Sequence, residues 1–173
     1  PRVGNSLLGH LVSAMAGPSI TRKASFLLDQ KGERVLPAGL SVIDDPLRSR
    51  GLRSRPFDGE GLPTTRMKLV DDGVLVNWLL DSASARQLGL EPTGHAMRGA
   101  GAPGAGATNV HLEGGAMRTH DMMSDVKQGL YITELIGHGV NPVTGDYSRG
   151  ATGFLLADGK PDHAVSEVPI AGN

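Results

Sequence analysis

Residues 129–153 read GLYITELIGHGVNPVTGDYSRGATG. Leu130, Ile132 and Leu135 are apolar, and Tyr131 and Thr133 fit a pleated, half-buried surface, so 130–136 is expected to be a strand. Gly137 and Gly139 bracket His138 and open backbone conformations closed to other residues. Asn141-Pro142 and Thr144-Gly145 mark a chain reversal. Asp146, Tyr147, Ser148 and Arg149 follow, with Gly150 and Gly153 behind them. Two readings fit this pattern. One is a tight β-turn packed on itself; the other is a surface where a second chain lies close to the backbone.

Working outward, hairpin signals repeat. Residues 153–156 face 163–165 across an Asp158-Gly159 turn, and 168–170 is a last strand. Met67 to Trp78 is the clearest hairpin, turning at Asp72-Gly73. A third is expected over 24–36, with arms 25–28 and 34–36, and short strands at 41–43 and 108–112. Helices are fewer. Asp81 or Ser82 caps one through Leu88, which Gly89 closes. Thr119 caps another through about Gln128, with Met122, Met123 and Val126 as its apolar side. Asn5 or Ser6 caps a third from Leu7, with Leu7, Leu8, Leu11, Val12 and Met15 on one face, His10 near its edge and Gly17-Pro18 as its stop. Residues 46–63 and 89–106 have no apolar period and are expected to be exposed loops. Hairpins alternating with isolated helices predict an α+β fold, mainly antiparallel, with two or three short helices.

Composition narrows the function classes. A chain of 173 residues is the size of one domain, with room for a two-lobed arrangement. Hydrophobic residues are 39% and aromatics 3%, which makes the core aliphatic. The formal net charge of −1 gives no overall attraction for nucleic acid. The absence of cysteine excludes disulfides, thiolate catalysis and Cys-ligated metal, and fits a cytoplasmic protein. No apolar run approaches the roughly 20 residues that span a bilayer, so no membrane association is expected.

Candidate chemistry is sparse. Of six histidines, His10, His95, His111, His120, His138 and His163, no two stand one helical turn apart, and HExxH is absent. Only His10 lies on a helix long enough to hold a metal, without a partner there. Gly99 to Gly104 fits G-x-G-x-x-G, but a polar loop precedes it, Pro103 interrupts it and no helix follows, so it reads as a loop. Arg48, Arg50, Arg53 and Arg55 could meet phosphates, yet no aromatic residue interleaves them, and Asp44, Asp45, Asp58 and Glu60 offset their field. Ser148, Asp146 and His138 contain the side chains of a hydrolytic triad without the G-x-S-x-G elbow.

The words LYITELIGHGVNPVTGDYSRGATGF and VSEVPIAGN, with VDDGVLVNWLLDSASARQLG and GATNVHLEGG upstream, resemble the PmbA/TldE family. That family is paired with TldD in the "modulator of DNA gyrase" group of peptidases. The resemblance covers essentially all of residues 1–173, as a single C-terminal domain of the family, and implies that its N-terminal domain lies outside them. TldD-type proteins carry a His-Glu-x-x-x-His helix as their metal motif. The similar segment here is Leu7 to Ala14, where Gly9 and Ala14 stand at the two histidine positions and His10 at the glutamate.

The resemblance therefore implies a cytoplasmic subunit without its own zinc. Its partner would be a TldD-like metallopeptidase that carries the metal and the base, and the pair would cleave unfolded or small peptides. Gly137, His138, Gly139, Asp146, Tyr147, Ser148 and Arg149 are the residues expected to hold extended substrate, by strand addition at an exposed edge. No catalytic residue and no cofactor is expected in this chain. The rival expectation is a stand-alone homodimeric module touching DNA or a gyrase-type complex through the arginine loop.

Overall fold

The computed structural model describes residues 2–101 and 103–172. In chain order its elements are α1 (Arg2–Ala14), α2 (Gly17–Thr21), β1 (Ser41–Asp44), β2 (Met67–Asp71), β3 (Val74–Leu75), α3 (Ser82–Leu88), β4 (Ala96–Met97), β5 (Gly104–Ala105), β6 (Val110–Glu113), α4 (Thr119–Ser124), β7 (Gln128–Ile136), β8 (Tyr147–Ala157) and β9 (Lys160–Gly172). Every ladder between named strands is antiparallel. The fold is α+β, as the alternation of hairpins and helices predicts. The chain forms two compact units, Leu11–Gly115 and a second made of Pro1–His10 with Ala116–Asn173.

The Leu11–Gly115 unit is built on a four-stranded sheet in the order β3-β2-β1-β6. Val42 and Ile43 of β1 are both fully buried, because β1 is an inner strand and its β-branched residues meet neighbours on both faces. Met15, Ile20, Leu27, Leu69, Val70, Leu75, Leu79 and Leu80 complete an aliphatic core. Asp72 and Gly73 take φ of 47° and 82°, the left-handed pair that a two-residue hairpin requires. Helix α3 is capped as expected: the Asp81 carboxylate accepts from Ser84 N at 2.7 Å, and Gly89 closes it in the left-handed conformation.

Several expectations are corrected in this unit. Residues 24–36 are not a hairpin. The Ser25 hydroxyl donates to Ala14 O and accepts from Leu27 N, which folds the first arm into turns. The second arm pairs with β3 instead, through the Arg34–Val74 bridge, and in the expected turn before it Gly32 N donates to Leu75 O. Gly17-Pro18 does not only stop a helix; it opens α2, with proline in the first turn where no amide donor is needed. Residues 89–106 contain the small β4–β5 ladder and the buried residues His95 and Ala96.

The second unit is a three-stranded sheet in the order β7-β8-β9. Asp158 and Gly159, at φ of 47° and 77°, turn β8 into β9 as expected. The final strand is longer than anticipated: 163–165 and 168–170 belong to one strand, with Glu167 at φ 58° between them. Helix α4 stops at Ser124 rather than near Gln128. The carbonyls of Val126 and Lys127 accept from Gly159 N and Asp158 N, so that segment is drawn to the β8–β9 turn. Arg118, not Thr119, is the N-cap of α4, and Met122 is exposed. Helix α1 already runs from Arg2. Ser6 lies inside it, and its hydroxyl serves a contact with β8 rather than a cap.

Candidate peptide-holding site

The connection from β7 to β8 satisfies itself. Asn141 N donates to Asp146 O and Gly145 N to Asn141 O, both at 2.9 Å, while Asn141 Oδ1 accepts from Val143 N. The Thr144 hydroxyl donates to the Asp146 carboxylate. Ser148 N donates to Gly139 O at 2.7 Å. A Cβ on Gly139 would sit 1.7 Å from the Ser148 carbonyl oxygen, so the close approach at Gly139 is made by the chain's own β8. Gly137, at φ 87°, has open space around it. His138, Asp146 and Ser148 are exposed.

Tyr147 and Arg149 point the other way, since alternate strand residues occupy opposite faces. Arg149 Nη1 donates to Ser6 Oγ at 3.2 Å, and the His10 ring meets Tyr147 edge-on with centroids 6.4 Å apart. Four helical residues rise about 6 Å and two strand residues about 6.6 Å, so Ser6 and His10 keep step with Arg149 and Tyr147. Beside them Arg2, Val3 and Ser6 of α1, Thr133 to Leu135 of β7 and Arg149 line a half-open cavity of about 380 Å³. The Arg149 Nε is buried and has no hydrogen-bond partner among the described residues.

The positions corresponding to a metal motif do not fit a metal. Gly9 and Ala14 have no side-chain donor atom, Ala14 is buried, and the His10 Nε2 lies 3.5 Å from Ser6 Oγ. Among the described residues no three His, Asp or Glu side chains converge as a metal site. No helix of the described residues is long and apolar enough to cross a membrane.

A second polar cluster escaped the sequence reading. Asp44, at the end of β1, is fully buried, and its Oδ2 lies 2.9 Å from Nε2 of the buried His95. Thr108 donates to the same carboxylate through its backbone N at 3.0 Å and its hydroxyl at 2.7 Å. Nδ1 of His95 is 2.9 Å from the Thr93 hydroxyl, to which Leu80 N donates. Asp58 is buried too and accepts from the amides of Glu60, Leu62 and Ala96. Both aspartates therefore satisfy internal donors and are not the surface counter-charges of the arginine loop. Nothing in local sequence pairs residues 51 apart; the only signal was an aspartate closing a β-branched strand.

Burial alone would push the Asp44 carboxyl up, but the bonds from His95 and Thr108 outweigh it and hold it below the usual carboxylate range. With its folded pKa depressed, Asp44 contributes its full stabilisation above the unfolded value of 3.8, and that contribution is lost as pH falls through the folded value. Urea midpoints at pH 6 and pH 3 should therefore fall further for the natural protein than for Asp44→Asn. An equal fall in both would show that Asp44 has no part in acid unfolding.

Residues 1–173 match the family model described as the PmbA/TldA metallopeptidase C-terminal domain. The chain belongs to this family. It is 46% identical over 171 residues to the Metalloprotease PmbA of Escherichia coli O157:H7, covering 99% of this chain and 36% of that protein. A crystal structure from Bacteroides thetaiotaomicron carrying the modulator-of-DNA-gyrase name superimposes with a TM-score of 0.88 at 31% identity, covering all of this chain and 37% of that one. TldE from Thermococcus kodakarensis superimposes with a TM-score of 0.84 at 28% identity, over 94% of this chain and 38% of that one. The chain thus spans little more than a third of the length of these family members.

Proposed function

We propose that this chain is the C-terminal part of a TldE/PmbA-type subunit that holds extended peptide for a TldD-like metallopeptidase partner. The observation that carries this reading is α1: glycine and alanine occupy the two positions at which the metal motif requires histidine, and His10 is engaged with Ser6 and Tyr147. A helix so substituted cannot supply the three protein ligands of a catalytic zinc site. Zinc, the general base and hydrolysis of unfolded or small peptides then belong to the partner, in the cytoplasm. This chain contributes the wall along which the peptide lies. In support, β7 and β9 are edge strands whose outer N–H and C=O groups can add an extended peptide.

The protein in its full natural length should cleave no unfolded peptide alone and should accelerate cleavage when mixed with a zinc-bearing TldD-like relative. Stoichiometric zinc and turnover by the protein alone would sink the reading, as would full activity of the relative without it.

A further inference from the structure

We infer that the cavity between α1 and the β7–β8 pair binds a carboxylate, the free C-terminus of a peptide laid along the β7 edge. The inference rests on the peptide-holding function proposed above and adds to it which end of the peptide is recognised.

The Arg149 guanidinium lines the cavity with an incomplete set of partners. Nη1 is committed to Ser6 Oγ, while the buried Nε has no acceptor among the described residues. A buried donor left unpaired is destabilising, so such groups ordinarily have a partner or await one. A guanidinium matches the two oxygens of a carboxylate in a planar fork, which a lysine does not offer.

The other walls narrow the ligand. Arg2 adds a second cation and Glu134 an opposing carboxylate, which leaves one net positive charge and favours a monoanion over a phosphate dianion. Val3 and Leu135 supply apolar wall for a terminal side chain. About 380 Å³ is at the small end of ligand sites, room for a terminal residue rather than a cofactor. The approach is provided by β7, an edge strand whose residues 133–135 border the cavity. Its register shifts between Ile132 and Glu134, where the Thr133 hydroxyl turns to Thr152 O. A peptide pairing with this edge reaches the cavity at the shift.

The test is fluorescence anisotropy with the full-length protein and one unfolded peptide in three forms: free C-terminus, C-terminal amide, and amide with a glutamate at the last position. The free acid should bind about tenfold tighter than either amide, the scale of one charge-assisted hydrogen-bonded pair. Arg149→Gln should bring the acid down to the amide, and Arg149→Lys should restore only part of the difference. Arg2→Gln, at an exposed position, should narrow the difference without the packing consequences of changing Arg149. Equal binding of acid and plain amide overturns the carboxylate inference and leaves the peptide-holding function standing. Tight binding of the glutamate amide reassigns the cavity to acidic side chains and overturns it as stated. Binding of none of the three overturns the function and the inference together.

Discussion

Replacing Asp44 with alanine should destabilise the protein by about 3–5 kcal/mol, because it strips the acceptor from three buried donors at about 1–3 kcal/mol each. The carboxylate is fully buried and accepts from the His95 ring, the Thr108 amide and the Thr108 hydroxyl. Alanine leaves these donors facing an apolar gap without the acceptor they now share. Asp44→Asn keeps the volume and one acceptor oxygen and should lose less. Asp29→Ala, at an exposed position, should stay within roughly 0.5 kcal/mol. Chemical denaturation of the three variants decides the point. A loss under about 1 kcal/mol for Asp44→Ala would mean that the cluster relaxes freely and does not anchor 89–108 to β1. The loss matters on the scale of natural stability, about 5–15 kcal/mol for a whole domain.

Local chemistry was legible at the tight turns and at α3, though not at the N-termini of α1 and α4, where the expected caps Asn5 or Ser6 and Thr119 are not the caps. Asp72-Gly73 and Asp158-Gly159 each have the one dipeptide that turns two strands with left-handed geometry, and each turns where expected. Asp81 and Gly89 bound α3 because cap and stop act within four residues. What stayed hidden depends on partners far along the chain. The turns at 24–36 follow from Ser25 reaching Ala14, and the early end of α4 follows from Val126 and Lys127 bonding to the β8–β9 turn. The buried Asp44–His95 pair is of the same kind. The residues expected to hold peptide were read as one cluster, yet strand alternation divides them. Tyr147 and Arg149 face α1, and Ser148 faces away, so Arg149 remains next to a cavity while Asp146 is engaged by its own turn.

The glycines that frame His138 should respond unequally to alanine, and the contrast distinguishes a packing glycine from one that leaves room. At Gly139 a methyl group would lie 1.7 Å from the Ser148 carbonyl oxygen, far inside van der Waals contact and against backbone that cannot rotate away. Either the Ser148 N to Gly139 O bond breaks or the β7–β8 connection shifts as a whole. Overpacking of this kind costs about 1–3 kcal/mol and sometimes more, and the backbone partner places Gly139→Ala at or above the top of that range. At Gly137 the methyl group meets nothing within 4 Å, and the only penalty is the φ of 87°. A left-handed backbone costs an ordinary residue roughly 1–2 kcal/mol, so Gly137→Ala should be the milder change. Hydrogen exchange reads the difference directly: the Ser148 amide should lose protection in Gly139→Ala and keep it in Gly137→Ala. If both variants instead keep native protection and lose only peptide binding, both glycines serve the bound chain. The self-packed geometry of the β7–β8 connection would then be the wrong account of Gly139.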